Sequence, residues 1–81
     1  MSGQRKKLIR SPLAVRVGSA VQKLRKQQGV SQEYLAEKSS LSRNYIGNIE
    51  RGEYDVTVSS LQKVAKGLGC RAADILANAD V

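Results

Sequence analysis

The sequence predicts an all-α fold of five helices in one domain, and three observations support this prediction. First, apolar residues recur every three or four positions, the period of one face of an α-helix; the first such series is Leu13, Val17, Val21 and Leu24. Second, serine, threonine and glycine stand where these series begin and end, as helix caps do. Third, no segment alternates apolar and polar residues as a half-buried strand does. A chain of 81 residues has room for one domain.

Caps and apolar periods together place the five helices along the chain. Ser11 is suited to cap the first helix, Pro12 fits its first position, and Gly29 follows its end. The predicted helices are residues 12–28, 32–39, 43–51, 57–68 and 71–78. Beside the first series, the residues expected in the core are Leu35, Ala36, Ile46, Ile49, Val58, Leu61, Val64, Ala65 and Leu68. The core is therefore aliphatic, because the chain has no Trp and no Phe.

Basic residues crowd toward the start of the chain, whose net charge is +7. Residues 1–30 contain Lys and Arg but no Asp or Glu. Residues 1–11 have few apolar positions and no periodicity, so we interpret them as a flexible basic N-terminal arm. Arg5, Lys6 and Lys7 are its expected phosphate contacts. Charge alone predicts a polyanionic partner and leaves DNA, RNA and an anionic membrane open.

Residues 32–51 meet, in order, the demands of a helix-turn-helix. That unit needs a short helix with a polar start, a small residue where its two helices cross, a tight turn, and a second helix whose polar N-terminal end enters the DNA major groove. The residues that meet these demands are Gln32, Leu35, Ala36, Ser39, Ser40, Leu41, Ile46 and Ile49. Each match is weak alone, but the ordered set predicts a helix-turn-helix DNA-binding domain over residues 12–81.

The same segments carry a resemblance to a known family. Residues 31–39, 41–52 and 60–68 resemble the second helix, the recognition helix and the fourth helix of the lambda-repressor and Cro-type helix-turn-helix family. The run Tyr45-Ile46-Gly47 is also similar to the controller proteins of restriction–modification systems. The resemblance implies a five-helix, lambda-repressor-like domain that binds DNA. Ser40 stands where many members have glycine, and serine fits there if its backbone is not strongly left-handed.

The start of the recognition helix holds the candidate base contacts. Arg43 suits guanine, with a phosphate contact as the alternative. Asn44 suits adenine, unless it only begins the helix. Ser42 is expected to cap the helix first and to touch phosphate second. One turn later Asn48 is expected to contact a phosphate or a peripheral base, and Arg51 is a further expected DNA contact at the helix end.

Three other residues of this unit have open interpretations. Tyr45 either packs on the domain or lays its ring against the DNA. The resemblance implies that Gln32 reaches a phosphate or braces a base-contacting side chain, and the alternative is a plain helix residue. Gly47 costs about 1 kcal/mol of helix stability against alanine, which a close approach of DNA or of another helix would explain.

Charged residues outside the base contacts have structural and partner-binding interpretations. The resemblance implies a buried ion pair between the first and third helices at Arg25 and Glu50, and the alternative is two separate surface charges. Glu33 and Glu37, four residues apart, share one face of the second helix. In lambda-repressor-like activators an acidic patch at these positions touches RNA polymerase. The alternative is a solvated face aided by the helix dipole.

The fifth helix is the predicted dimer interface, through Ile75, Leu76 and Ala79. Because Ile75 and Leu76 are adjacent on the helix, we expect one to face the core and the other a neighbouring subunit. A two-fold homodimer would place two recognition helices about 34 Å apart on one side of the DNA, over a near-palindromic operator.

These features favour a sequence-specific transcriptional regulator that acts on double-stranded DNA as a homodimer. The alternative is an antitoxin-type or other protein-interaction module of the same fold. An enzyme, a cofactor and a metal site are not expected, because the chain has no His, no glycine-rich phosphate loop and no metal-ligand cluster. RNA is disfavoured by the lack of an aromatic platform on strands. No apolar run reaches the length of a membrane span. The single cysteine, Cys70, fits a reducing cytoplasm. We therefore expect a cytoplasmic protein associated with the nucleoid.

Overall fold

Four of the five helices begin at a serine or threonine whose hydroxyl accepts a backbone hydrogen bond. The computed structural model describes residues 11–81, where the helices are α1 Pro12–Gln27, α2 Gln32–Ser39, α3 Arg43–Glu50, α4 Val58–Gly67 and α5 Ala72–Asn78. The capping hydroxyls belong to Ser11, Ser31, Ser42 and Thr57. In α5 the Asp74 carboxylate instead accepts from the backbone N–H of Arg71 at 2.9 Å. Residues 11–81 contain no strand, so the all-α, five-helix prediction is confirmed.

The core is aliphatic, as predicted, and draws on all five helices. Its largest fully buried side chains are Val21, Leu35, Ile46, Ile49, Val64 and Ile75. α1 packs against α3 and α5, while α2 packs against α3 and α4. α3 therefore lies between α1 and α2, with its apolar side fixed and its opposite side available to a partner.

Two residues of the predicted core are exposed. Leu13 is 52% exposed and Val58 is 76% exposed, so the prediction that they face the core is wrong. Both lie in the first turn of their helices, at the edge of the packed core. Ala14, at 4% exposure, takes the core position that the periodicity assigned to Leu13.

The turn between α2 and α3 is left-handed at Ser40, with φ 57° and ψ 38°. The condition under which serine was expected to fit here, a backbone that is not strongly left-handed, is therefore not met. The turn must reverse the chain within a few residues, and the backbone N–H of Leu41 donates to the Ala36 carbonyl at 3.0 Å to close it. A serine in this conformation carries a steric penalty that glycine would avoid.

α1 and α3 cross at Gly18 without room for a side chain. A Cβ atom placed on Gly18 would overlap the carbonyl oxygen of Ile49 and lie 3.0 Å from that of Glu50. A similar approach joins α2 and α4, where a Cβ on Gly67 would overlap the hydroxyl of Ser39. The contact at Gly18 limits the distance between α1 and α3, and the contact at Gly67 limits that between α2 and α4.

Candidate nucleic-acid interface

The N-terminal end of α3 is the most exposed part of that helix. Ser42, Arg43 and Asn44 are exposed, whereas Ile46 and Ile49 are buried on the opposite side. The Ser42 hydroxyl accepts from the backbone N–H of Tyr45 at 3.0 Å and caps the helix. The geometry therefore presents a guanidinium and a carboxamide to solvent at the first turn of α3.

Arg43 lies beside an acidic residue of α2. Its Nε atom is 3.5 Å from a carboxylate oxygen of Glu33, and both side chains are mostly exposed. Screening by water makes such a pair weak, so it orients Arg43 without fixing it. Glu33 of α2 thus lies beside the start of α3, while Glu37 is exposed one turn further along α2.

The third helix is held against the first by the ion pair of Arg25 and Glu50. The pair is bidentate: Nε of Arg25 donates to Oε2 of Glu50 at 2.7 Å, and Nη2 donates to Oε1 at 3.1 Å. The side chains are 11% and 1% exposed, so both charges are buried. The remaining Nη1 of Arg25 donates to the Val30 carbonyl at 2.8 Å. The hydrogen bond from Arg25 to Glu50 raises the pKa of Arg25 above its ordinary value, although burial opposes this.

Gln32 joins this buried ion pair from α2. Its Nε2 donates to Oε1 of Glu50 at 2.9 Å, and the side chain is half-buried. Since a carboxylate only accepts hydrogen bonds, the carboxamide is oriented with its nitrogen toward Glu50. Gln32 therefore links α2 to the end of α3 through Glu50. Glu50 is not a predicted base contact, so the implied phosphate contact or bracing of a base-contacting side chain by Gln32 stays a prediction.

Tyr45 packs on the domain, and its hydroxyl is tied to the fourth helix. The hydroxyl oxygen of Tyr45 lies 3.1 Å from that of Ser60, and the half-buried ring rests against the core. Its outer side meets Tyr54, with ring centroids 5.4 Å apart and planes inclined by 34°. Of the two interpretations of Tyr45, the structure supports packing on the domain.

The C-terminal end of α3 carries a second polar cluster. Nδ2 of Asn48 donates to the Tyr54 hydroxyl at 3.2 Å, and its Oδ1 accepts from Nη2 of Arg51. Nε of Arg51 is 3.3 Å from a carboxylate oxygen of Glu53. Asn48 is therefore engaged within the protein at both ends of its amide.

Gly47 is buried, although it does not lie on the apolar side of α3 with Ile46 and Ile49. A Cβ atom there would meet no helix, only the Arg51 guanidinium, whose Nη1 would lie 3.2 Å away. Gly47 is thus covered by the Arg51 side chain, and no close approach of another helix explains it.

Two of the three residues predicted for the dimer interface are in the core of the monomer. Ile75 is fully buried and Ala79 is 5% exposed, which corrects their assignment, because neither has surface left for a partner. Leu76 is half-buried and lines an open, largely apolar groove of about 360 Å³. The groove is lined by Ser11, Leu13, Ala14, Val17, Asp55, Val56, Leu61 and Leu76.

Tyr54, Ser60 and Gly18 bear on the site but were not predicted from the sequence. The sequence placed Tyr54 only between two predicted helices, and it placed Ser60 and Gly18 only within predicted helices. An aromatic residue between Glu53 and Asp55 was the signal available for Tyr54. Of the other predicted contacts, Arg5, Lys6 and Lys7 lie outside the described residues.

Nothing in residues 11–81 suggests a metal centre or a reactive thiol. No group of His, Cys, Asp and Glu in this range is placed to hold a metal ion. Cys70 is half-buried, and burial together with Asp74 raises the pKa of its thiol. No helix in the same range combines the length and apolar character needed to cross a bilayer.

Known proteins with similar sequences and structures are regulators. A family model described as helix-turn-helix matches residues 21–75. Control protein C.MunI from Mycoplasma sp is 33% identical over 67 residues, which are 82% of this chain and 90% of that protein. The immunity repressor protein of Bacillus phage phi105 is 40% identical over 60 residues, 74% of this chain but only 42% of that protein. The crystal structure of the restriction-modification controller protein C.AhdI from Aeromonas hydrophila has 35% identity and a TM-score of 0.74, and covers 76% of this chain and 94% of that chain.

The exposed start of α3 and the α2–α3 turn define a helix-turn-helix domain. With 55 of its residues (21–75) matched by the family model, the chain belongs to the helix-turn-helix family, a class of DNA-binding regulators of transcription. The similarity to controller proteins, which the sequence predicted from Tyr45-Ile46-Gly47, is confirmed by the match to C.MunI and the fold of C.AhdI.

Proposed function

We propose that this protein regulates transcription by binding a specific, near-palindromic DNA operator as a homodimer, with α3 in the major groove. The observation that carries the proposal is the start of α3, where Arg43 and Asn44 are exposed while the other side of the helix is fixed in the core. A recognition helix reads base edges with the residues at its N-terminal end. Family membership supports the DNA-binding part of the proposal.

Arg43 and Asn44 are the proposed base-reading residues. A guanidinium pairs in a bidentate manner with O6 and N7 of guanine, and a carboxamide does so with N6 and N7 of adenine. Within residues 11–81, Arg43 has only the weak, exposed contact with Glu33 to give up when it meets a base. Ser42 and Arg51 are the proposed phosphate contacts at the two ends of α3, and Arg5, Lys6 and Lys7 are proposed to add further ones.

The buried ion pair supports a fixed geometry for this reading. Glu50, at the end of α3, is bound by Arg25 from α1 and by Gln32 from α2. Three helices are thereby joined below the surface that would face DNA. A recognition helix held in this way loses little conformational freedom on binding, which favours affinity.

The proposed dimer uses the surface around Leu76. Leu13 and Val81 expose about half of their side chains, and the Val81 backbone N–H donates to the Leu76 carbonyl at 3.1 Å. Leu13 and Leu76 share the apolar groove described above. A second copy seated there would bury these leucines, and two-fold symmetry would give two recognition helices about 34 Å apart.

Selection of binding sites from a random duplex library tests the proposal. With the full 81-residue chain, we expect an enriched sequence with two inverted half-sites, centred about one helical turn or a whole number of turns apart. Recovery of unrelated sequences, all bound equally and with the same salt dependence, would contradict sequence-specific regulation.

A further inference from the structure

The amide of Asn48 is oriented by its two partners. Arg51 offers only donors, so the oxygen of the amide must face Arg51 and its nitrogen must face Tyr54. The Tyr54 hydroxyl therefore acts as an acceptor for Asn48. With both ends of the amide engaged inside the protein, Asn48 connects Tyr54 to Arg51 and is not arranged as a base reader.

Tyr54 is itself fixed, although it belongs to the loop between α3 and α4. Its ring packs on that of Tyr45, whose hydroxyl is hydrogen-bonded to Ser60 of α4. Because Tyr45 rests on the core, Tyr54 is positioned by the body of the domain. A packed aromatic pair of this kind adds to the stability that burial alone gives.

Arg51 is the charged group at the end of this series of contacts. Its guanidinium covers Gly47, accepts no hydrogen bonds, and is bordered by Asn48 on one side and Glu53 on the other. The side chain is 56% exposed, so its positive charge remains available to an anion. The C-terminal end of a recognition helix lies farther from the base edges than its start, and a cation there meets the phosphate backbone.

We propose that Tyr54 is a positioning residue for DNA binding: its hydroxyl orients Asn48, and Asn48 holds the Arg51 guanidinium for a phosphate contact. This role rests on the proposed DNA-binding function and assigns a task to a loop residue outside the helix-turn-helix. The arrangement makes the Arg51 contact depend on the Tyr54 hydroxyl, which acts through Asn48. Tyr54 is therefore expected to affect the affinity for all DNA sequences equally and to leave base preference unchanged.

The test is the variant Tyr54→Phe, which removes the hydroxyl and keeps the ring on Tyr45. We expect binding to the selected operator and to unrelated duplexes to weaken equally, by about 3- to 10-fold, the value of one net hydrogen bond. The slope of log affinity against log salt should fall by about one, as expected when one phosphate is no longer bound. Tyr34→Phe, the same change in an exposed tyrosine of α2, is the control and should bind like the wild type.

A double-mutant cycle shows whether Tyr54 acts through Arg51. In the Arg51→Ala background, Tyr54→Phe should cause no further loss, because the group it positions is already absent. Thermal melting separates this role from a structural one, since Tyr54→Phe should melt with the wild type. Wild-type affinity and salt slope in Tyr54→Phe, or an equal loss with and without Arg51, would overturn the proposal. If the wild-type chain bound no duplex at all, the proposed function itself would fail, and this role with it.

Discussion

The carboxylate of Glu50 is almost completely buried, so its charge must be balanced by neighbouring hydrogen-bond donors. Three hydrogen bonds reach its carboxylate, two from Arg25 and one from Gln32. A buried pair adds little over an apolar contact of the same shape, but breaking it leaves one buried charge without a partner. The main consequence of the pair is therefore that neither residue can be replaced alone.

Arg25→Ala should lower the free energy of unfolding by about 3–5 kcal/mol, because it leaves the Glu50 carboxylate buried and unpaired. Urea denaturation followed by circular dichroism measures this loss. The control is Arg71→Ala, which removes an exposed arginine whose Nε is 3.9 Å from Asp74. That variant should remain within about 1 kcal/mol of the wild type. Equal stability of the two variants would show that the buried pair does not hold the fold.

For individual residues, helical periodicity predicted most of the buried side chains, and residue type predicted the helix caps. The buried places of Leu35, Ile46 and Ile49 followed from helical spacing, and the caps from residue type. The exposed side chains of Leu13 and Val58 were not predictable, because a period does not show where the packed layer ends. The left-handed backbone of Ser40 was also missed, since it follows from how α2 and α3 are placed.

The position of α3, the proposed recognition helix, depends on the place where α1 and α3 touch. Gly18 brings the two backbones into direct contact, and any side chain there would displace the Ile49 carbonyl. A glycine inside a helix costs stability by itself, so its presence needs a packing reason. The sequence shows the cost but not the reason, because the neighbour across the crossing is 31 positions away, counted from residue 18 to residue 49.

Gly18→Ala should destabilise the domain by about 1–3 kcal/mol through overpacking, despite the better helix propensity of alanine. Ser19→Ala, at the next and exposed position of α1, should leave the melting temperature unchanged or slightly higher. The two melting temperatures, measured side by side, check the prediction. A Gly18→Ala variant that melts at or above the wild-type temperature would mean that α1 and α3 do not approach this closely.

Deleting residues 1–10 should weaken binding to any duplex and flatten its salt dependence. The slope of log affinity against log salt should fall by about one for every phosphate that Arg5, Lys6 or Lys7 neutralises in the full chain. Titrations at several salt concentrations, with the full chain as reference, measure this change. An unchanged slope would rule out the arm as a DNA contact, even if the affinity fell.

The elements of the site were predictable, but the contacts between them were only partly so. The exposed start of α3 follows from its cap and its apolar side, both visible in the sequence. The contacts of Tyr54 with Tyr45 and Asn48 depend on the path of a loop, for which no periodic signal exists. Sequence reasoning therefore predicted the exposed start of α3, which is the proposed reading surface, and missed the loop residue Tyr54 beside it.

At the scale of the whole molecule, the proposed homodimer depends on which surface of α5 is left exposed. The core takes up Ile75 and Ala79, so α5 offers a partner only the side that carries Leu76. The sequence predicted that Ile75 and Leu76 face opposite ways, and only the packed structure shows which of them turns inward.

Leu76→Asp should yield a folded monomer with poor affinity for the operator, because a charge would have to be buried at the subunit contact. Sedimentation at micromolar concentration, together with operator binding, measures both effects. Ala77→Asp places the same charge at the adjacent, exposed position of α5 and should remain dimeric. A wild-type chain that sediments as a monomer, both free and on its operator, would refute the dimer.

Base reading by the start of α3 is most directly tested by Arg43→Ala. The measurement is the binding free energy on the selected operator and on all of its single-base variants. We expect a loss of about 1–3 kcal/mol on the preferred site and a loss of discrimination at one base pair, with preferences elsewhere unchanged. If Arg43→Ala instead weakened binding by the same factor on every sequence and lowered the salt slope, Arg43 would be a phosphate contact, contradicting its role as a base reader.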